Sequence, residues 1–429
     1  MIHVLKMKLV LWLALLLTAS AAASTVTTTT GHLSQARRNI GATTVGGKFY
    51  FAGGCTTVGS GKTAFICNNA SDVIDVLDSL GTAVADEQLH LSEARGWPCA
   101  CATKSLAVFA GGGQRGDLPH SRTADIIEAA TGKVTSQPNA LSTGRWGITC
   151  ATMNETIFFA GGKVTIHGYQ DVYMTNHIDT FDGTAKQWSV APYNLSVGRE
   201  SAVAASYSGG SNCSGLIVAG GWEKDPGFLG KYHASTALDI FSSPLQPLSG
   251  STGDGRGFLG KYHASTALDI FSSPLQPSGS TGGGGRTTTQ LKNGAYDAGL
   301  AISASSKAYI VGNSLLYEVA CGGAVESYPL PVDMTGPGGQ VSGGGAIPRA
   351  HIPQNGVAVK SSVCFYGTAP SILYCLDTTT MDWSRHPCQA EHAGGAIVAF
   401  GNTVMVAGGY DPQGKDTTPT DVIDIFTFG

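Results

Sequence analysis

The chain has the side chains from which a catalytic or metal centre is built, but not the spacings that build one. Eleven histidines, ten cysteines and 30 carboxylates are dispersed over 429 residues. H-E-x-x-H, C-x-x-C, G-x-x-x-x-G-K-[ST] and G-x-S-x-G each bring donor atoms or a nucleophile together on one local element. None of the four occurs. No metal, no cofactor and no catalytic residue is therefore expected. The side chains better suited to contact than to chemistry lie in four variable stretches, TTVGSGKTAFICNNAS, GQRGDLPHSR, KVTIHGYQDVYMTN and WEKDPGFLGKYHAS. These carry His167, Tyr169, Tyr173, His177, Trp222, Tyr232 and His233. Amphipathic aromatic side chains on loops suit protein or sugar contacts, and function concentrates on loops held by a rigid scaffold. A protein or carbohydrate ligand is the expected partner.

What positions those loops is a repeat. Apolar runs stop on a glycine pair five times: FYFAGG at Gly53–Gly54, LAVFAGG at Gly111–Gly112, TIFFAGG at Gly161–Gly162, GLIVAGG at Gly220–Gly221 and TVMVAGG at Gly408–Gly409. A phosphate-binding loop is a single site, whereas spaced copies signal a structural repeat. Arg37, Arg95 and Arg145 each stand 16 residues before their doublet, and Arg199 stands 21 before Gly220 across an insert, SGGSNCSG. Small residues follow each arginine. A variable loop follows each doublet, and then a strand with one acidic residue: Asp75, Glu128, Asp179, Asp239 and Asp424. Repetition gives these carboxylates a structural role, paired with the arginines. Trp188 and Trp383 each follow such a strand, six residues after Asp182 and Asp377. AYIVGN and SVCFYGT are degraded copies around Gly312 and Gly367.

Arginine, small-residue strand, apolar strand, Gly-Gly, loop, acidic strand and tryptophan together resemble the kelch repeat. That resemblance implies an all-β fold, a β-propeller of seven blades, with six as the alternative count. Each blade is a twisted four-stranded sheet whose innermost strand crowds the axis and so takes small side chains. The doublets would need positive φ and close approach, and the tryptophans would fill the wide outer gap between blades. The last blade is one strand short, so TVTTTTGHL before Arg37 is expected to complete it and remove an exposed edge. GFLGKYHASTALDIFSSPLQP occurs twice, at 227–247 and 257–277. One copy is expected to serve blade four and the other to be looped out, within an insert near 248–286. The exported copper-radical oxidases similar to galactose oxidase are kelch propellers too. Their metal site uses a Tyr-His pair, which matches Tyr232-His233 and Tyr262-His263 by type but not by place in the blade. That enzyme is the alternative to a non-catalytic binding module.

Lys6 and Lys8, the run LVLWLALLL and then TASAAAS have the layout of a secretory signal peptide spanning 1–23, with the propeller over 24–429. The run falls short of the ~20 residues of a membrane span. Secretion fits the sequons at Asn69, Asn154, Asn194 and Asn212, read as glycosylation sites. It fits disulfides as well, with Cys55–Cys67 and Cys364–Cys375 the preferred pairs. Cys99, Cys101 and Cys150 read as small buried residues of inner strands. A net charge of −4 without a basic cluster excludes a nucleic-acid footprint. A monomer without a membrane span is expected.

Overall fold

The structure is a computed structural model. It describes residues 25–429 apart from 59–66, 85–87, 115–119, 167–170, 209–213, 225–231, 235–236, 243–267, 271–288, 291–298, 303–306, 313–314, 321–324, 331–355, 369–370 and 412–417. Among the described residues there is no helix, so none long and apolar enough to cross a membrane. The strands form seven blades arranged as a β-propeller, antiparallel throughout except for the outermost pairing of blade four. Blade one runs Gly41–Val45, Lys48–Ala52, Val73–Leu77 and Leu89–His90, from the axis outwards. The inner strands of blades two to seven are Cys99–Ala102, Thr149–Met153, Val203–Ser208, Gly299–Ile302, Val357–Val359 and Ala396–Phe400. Each inner strand touches those of its two neighbours, and the last touches the first, so the ring is closed. Blades five and six sit where the degraded copies place them, with second strands Ala308–Gly312 and Ser362–Thr368.

Closure is made by the N-terminal segment. Val26–His32 pairs antiparallel along the whole of Val422–Phe428, from Val26 opposite Phe428 to His32 opposite Val422. Seven apolar clusters hold the described core, one at each junction between neighbouring blades. Trp188 packs 5.1 Å from both Phe159 and Phe181, and its indole N–H donates to Gln137 of blade two at 2.5 Å. It seals blades two and three. Trp383 lies in the junction of blades five and six, beside Phe365.

The doublets have the conformation their residue type requires. Gly53 and Gly54 have φ of 66° and 99°, and the other four doublets match them. A Cβ on Gly53 would meet the Arg95 carbonyl of the next blade at 2.5 Å, and the Gly54 N–H donates to that same carbonyl at 2.9 Å. Gly409 donates to the Arg37 carbonyl at 2.8 Å, which closes this ladder from blade seven back to blade one. Any side chain at the first glycine would push neighbouring blades apart.

The repeat arginines are wholly buried and ion-paired: Arg37 with Asp75, Arg95 with Asp125 at 2.7 Å, Arg145 with Asp179 at 2.7 Å and Arg199 with Asp239 at 2.6 Å. Each guanidinium also donates to a backbone carbonyl beside the doublet, as Arg37 does to Gly53 at 2.7 Å. Burial lowers the Arg37 and Arg145 pKa values, opposed by the paired carboxylates. One expectation is corrected here. The acidic partner in blade two is Asp125, while Glu128 lies three residues on at the strand end and bonds Lys186 of blade three at 2.6 Å. Three residues along a strand reverse the face, so only Asp125 points at the arginine.

Both preferred disulfides form. Cys55–Cys67 ties the base of the hairpin Cys55–Val58/Cys67–Ala70, and Cys364–Cys375 joins directly opposed residues of two strands in blade six. In blade four, Ala237–Ser242 of the first copy is the third strand, and Leu268–Ile270 of the second copy pairs beside it in parallel. The remainder of the second copy lies outside the described residues.

Candidate functional site

Blades one to four and blade seven enter their inner strands through a tight turn two residues past the repeat arginine or, in blade seven, past His392. Asn39, Trp97, Gly147, Ser201 and Gly394 occupy that position, with φ of 59°, 54°, 64°, 56° and 70°. The turn lets neighbouring entries bond across the blades. Asn39 N–H donates to Gly394, Trp97 N–H to Asn39 and Ser201 N–H to Gly147, at 2.7–2.9 Å. Glycine and asparagine suit a left-handed turn. Tryptophan does not, because a bulky side chain there is a genuine outlier held by its surroundings.

Those turns ring the mouth of the central channel. A cavity of about 130 Å³ opens there, lined by Asn39, Trp97, Cys99, Gly147, Cys150 and Ser201 among others. Trp97 packs against Trp146 of blade three with ring centroids 5.0 Å apart and ring planes inclined at 43°. The Lys163 ammonium sits 4.9 Å from the Trp146 centroid, and His120 meets the same indole edge-on at 6.2 Å. His120 Nε2 bonds the Thr165 hydroxyl at 2.8 Å, while its buried Nδ1 has no hydrogen-bond partner among the described residues. Burial first, and then Lys163, lowers its pKa to about 4, so the ring is neutral at pH 7. A neutral imidazole, a cation and two half-buried indoles form one platform. It can stack on a flat apolar face and hydrogen-bond at its edge. The Cys99 and Cys150 thiols touch each other below it, unpaired, and burial pushes both up.

Of the loop residues expected from the sequence, Tyr173, Trp222 and His177 have described side chains. Tyr173 is 44% exposed and stands opposite Val164 in the hairpin Lys163–Ile166/Asp171–Met174. Trp222 is half-buried in the neighbouring hairpin of blade four, whose strand Trp222–Lys224 touches Asp171–Met174. The structure thus brings Tyr173 and Trp222 to adjacent hairpins. His177 is exposed at the base of the first hairpin, where its carbonyl accepts the Gly161 N–H. Tyr232 and His233 pair with Lys224 and Glu223 through their backbone. Their side chains, and all of His167, Tyr169 and Tyr262-His263, lie outside the described residues. The sequons Asn69, Asn154 and Asn194 are exposed, and Asn212 lies outside the described residues. Trp97, Trp146 and His120 are the site residues that motif reasoning missed. The signal was an aromatic at a turn position where the sister blades place glycine, asparagine or serine.

Two comparisons return nothing: no family model and no curated protein matches the chain. Solved structures do match. A catalytically inactive variant of virginiamycin B lyase from Staphylococcus aureus, with quinupristin, is 12% identical, covers 94% of this chain and 99% of its own, and gives a TM-score of 0.51. The structure of YjhT is 12% identical over 68% of this chain and 80% of its own, with a TM-score of 0.42. At that identity the lyase likeness carries the propeller fold alone, and an enzyme with this fold leaves the question of catalysis to the site.

Proposed function

We propose that this chain is a secreted, glycosylated kelch-type propeller that binds a protein or carbohydrate ligand at the mouth of its central channel. No catalysis is assigned to it. The observation that carries the reading is Trp97, held in a left-handed turn and packed against Trp146 at the rim of the cavity. A bulky side chain held in the left-handed region is a strained outlier of the kind that clusters at ligand clamps and active sites. The variable hairpins of blades three and four, with Tyr173 and Trp222, extend the surface beyond the mouth. The arginine–aspartate pairs and glycine doublets support kelch descent, and two disulfides fit an exported chain.

A printed array of oligosaccharides and secreted proteins, probed with the full chain and with Trp97→Asn, tests this. Asparagine occupies the same turn in blade one, so the variant should fold with an unchanged or higher melting temperature. It should lose at least tenfold in affinity for whatever the wild type captures. Retained affinity would remove the mouth from the site. The copper-radical oxidase alternative is separated by loading the protein with Cu(II) and offering simple alcohols and aldehydes. Peroxide release that disappears when both Tyr-His pairs are changed would overturn the non-catalytic reading.

A further inference from the structure

Blade seven departs from its sisters at two positions at once. In blades one to four the entry segment reads Leu-Ser-x-x-Arg: Leu33 to Arg37, Leu91 to Arg95, Leu141 to Arg145 and Leu195 to Arg199. All four leucines are buried, and their N–H groups donate to the carbonyl of Asp421, Asp72, Arg122 and Asn176 respectively. In blade seven the segment reads Cys-Gln-Ala-Glu-His. Cys388 takes the place of the leucine, with its N–H on the Ser371 carbonyl, and His392 takes the place of the arginine. The aspartate is kept. Both replacements are transition-metal ligands, and they converge on the one carboxylate the repeat already supplies.

The geometry makes the convergence a site. Cys388 Sγ, a ring nitrogen of His392 and an Asp424 carboxylate oxygen all lie within 4.8 Å of one another. Ligand atoms around a tetrahedral zinc ion stand roughly 3.5 Å apart, given bonds of about 2.0–2.3 Å, so a small contraction of side chains encloses the ion. His392 is wholly buried, and its Nδ1 donates to the Gly408 carbonyl at 2.6 Å. That bond places a proton on Nδ1 and leaves Nε2 as the coordinating nitrogen, the usual second shell of a metal-bound histidine. Nε2 faces Asp424 Oδ2 at 2.8 Å. In the sister blades a guanidinium nitrogen stands in that place beside the aspartate. Asp424 itself is oriented by the Gln389 and Ala390 N–H groups at 2.9–3.2 Å.

We propose that Cys388, His392 and Asp424 form a structural site for a borderline-soft divalent cation of the zinc class, which takes over in blade seven the role of the buried arginine. Binding displaces the Cys388 thiol proton and the proton held between His392 and Asp424. Thiolate, carboxylate and neutral imidazole then balance the dication, restoring the neutrality that arginine and aspartate give elsewhere. Asp424 lies on the strand that pairs with Val26–His32, so the ion pins the blade that closes the ring.

The test uses the full chain purified without chelator. Elemental analysis should find one zinc per chain, and Co(II) exchanged into the site should show a thiolate-to-cobalt charge-transfer band. That band should vanish in Cys388→Ser. A strong chelator should lower Tm by a few degrees, and Zn(II) should restore it. The double variant C388L/H392R rebuilds the sister-blade segment and should fold without metal and ignore the chelator. A metal-free chain whose Tm is indifferent to both Zn(II) and chelator would overturn the proposal. So would a cobalt band that survives in Cys388→Ser, which would place the thiolate elsewhere.

Discussion

Blade three and blade seven hold the same carboxylate at the same place against different cations. Asp179 faces Arg145, a charge that no accessible pH removes, and also accepts from the Ser142 N–H and hydroxyl. Asp424 faces His392 and takes its remaining bonds from Gln389 and Ala390 N–H groups. The backbone is alike in both: the doublets have the same φ, and each repeat cation stands 16 residues before its doublet. What the repeat keeps, then, is a buried partner for the aspartate that also donates to a carbonyl beside the doublet, rather than an arginine as such. Blades five and six show a third state, without the doublet, and blade six instead carries the cross-strand Cys364–Cys375 bond.

The sharpest way to break this comparison is to remove each cation in turn. Arg145→Ala leaves Asp179 buried and unpaired and should cost about 3–5 kcal/mol, read as a fall in the denaturation midpoint. His392→Ala in chelated protein should cost less, about 1–3 kcal/mol, because it removes one hydrogen bond from Asp424 where Arg145→Ala removes a permanent counter-ion. Equal losses would mean that the blades do not differ as described.

Acid separates the regions next. His120, against Trp146 of blade three, has its folded pKa lowered to about 4 from an ordinary 6.5. The unfolded chain therefore binds a proton there more readily than the folded one. The stability this gives is complete above pH 6.5 and is lost as pH falls from 6.5 towards 4, by up to about 3 kcal/mol. His120→Gln should remove that segment of the pH–stability curve, and a curve unchanged by the substitution would contradict the assignment.

Much of this was legible in the sequence because identical backbone demands recur. A positive φ pressed against the next blade's carbonyl admits only glycine, so five doublets announce themselves. The acidic partners were nearly as clear, and the misreading of Glu128 for Asp125 shows the limit. Both sit on one strand, and only the register against Leu106–Ala110 decides which faces inwards. The mouth was opaque for another reason. Trp97 and Trp146 come from different blades, and nothing in either stretch announces that they pack together. Cys388 and His392 were hidden in the same way, since their third ligand lies on a later strand. A scan for local ligand spacings cannot see Asp424.

The smallest expected effect concerns blade four. Deleting 248–277 removes the second copy and its short parallel pairing while the first copy keeps the third strand. Loop closure changes by only ~0.6 kcal/mol per doubling of length, so Tm should hardly move. Loss of soluble protein would make the second copy an integral strand.

The central claim is that ligand meets this propeller at the channel mouth, and hydroxyl-radical footprinting of the complex tests it most directly. With a partner captured from the array bound, Trp97 and Trp146 should be protected together, along with exposed Tyr173. Leu80 and Val84, exposed on the outer part of blade one, should keep their reactivity. Protection of Leu80 and Val84 with both indoles still reactive would contradict the account.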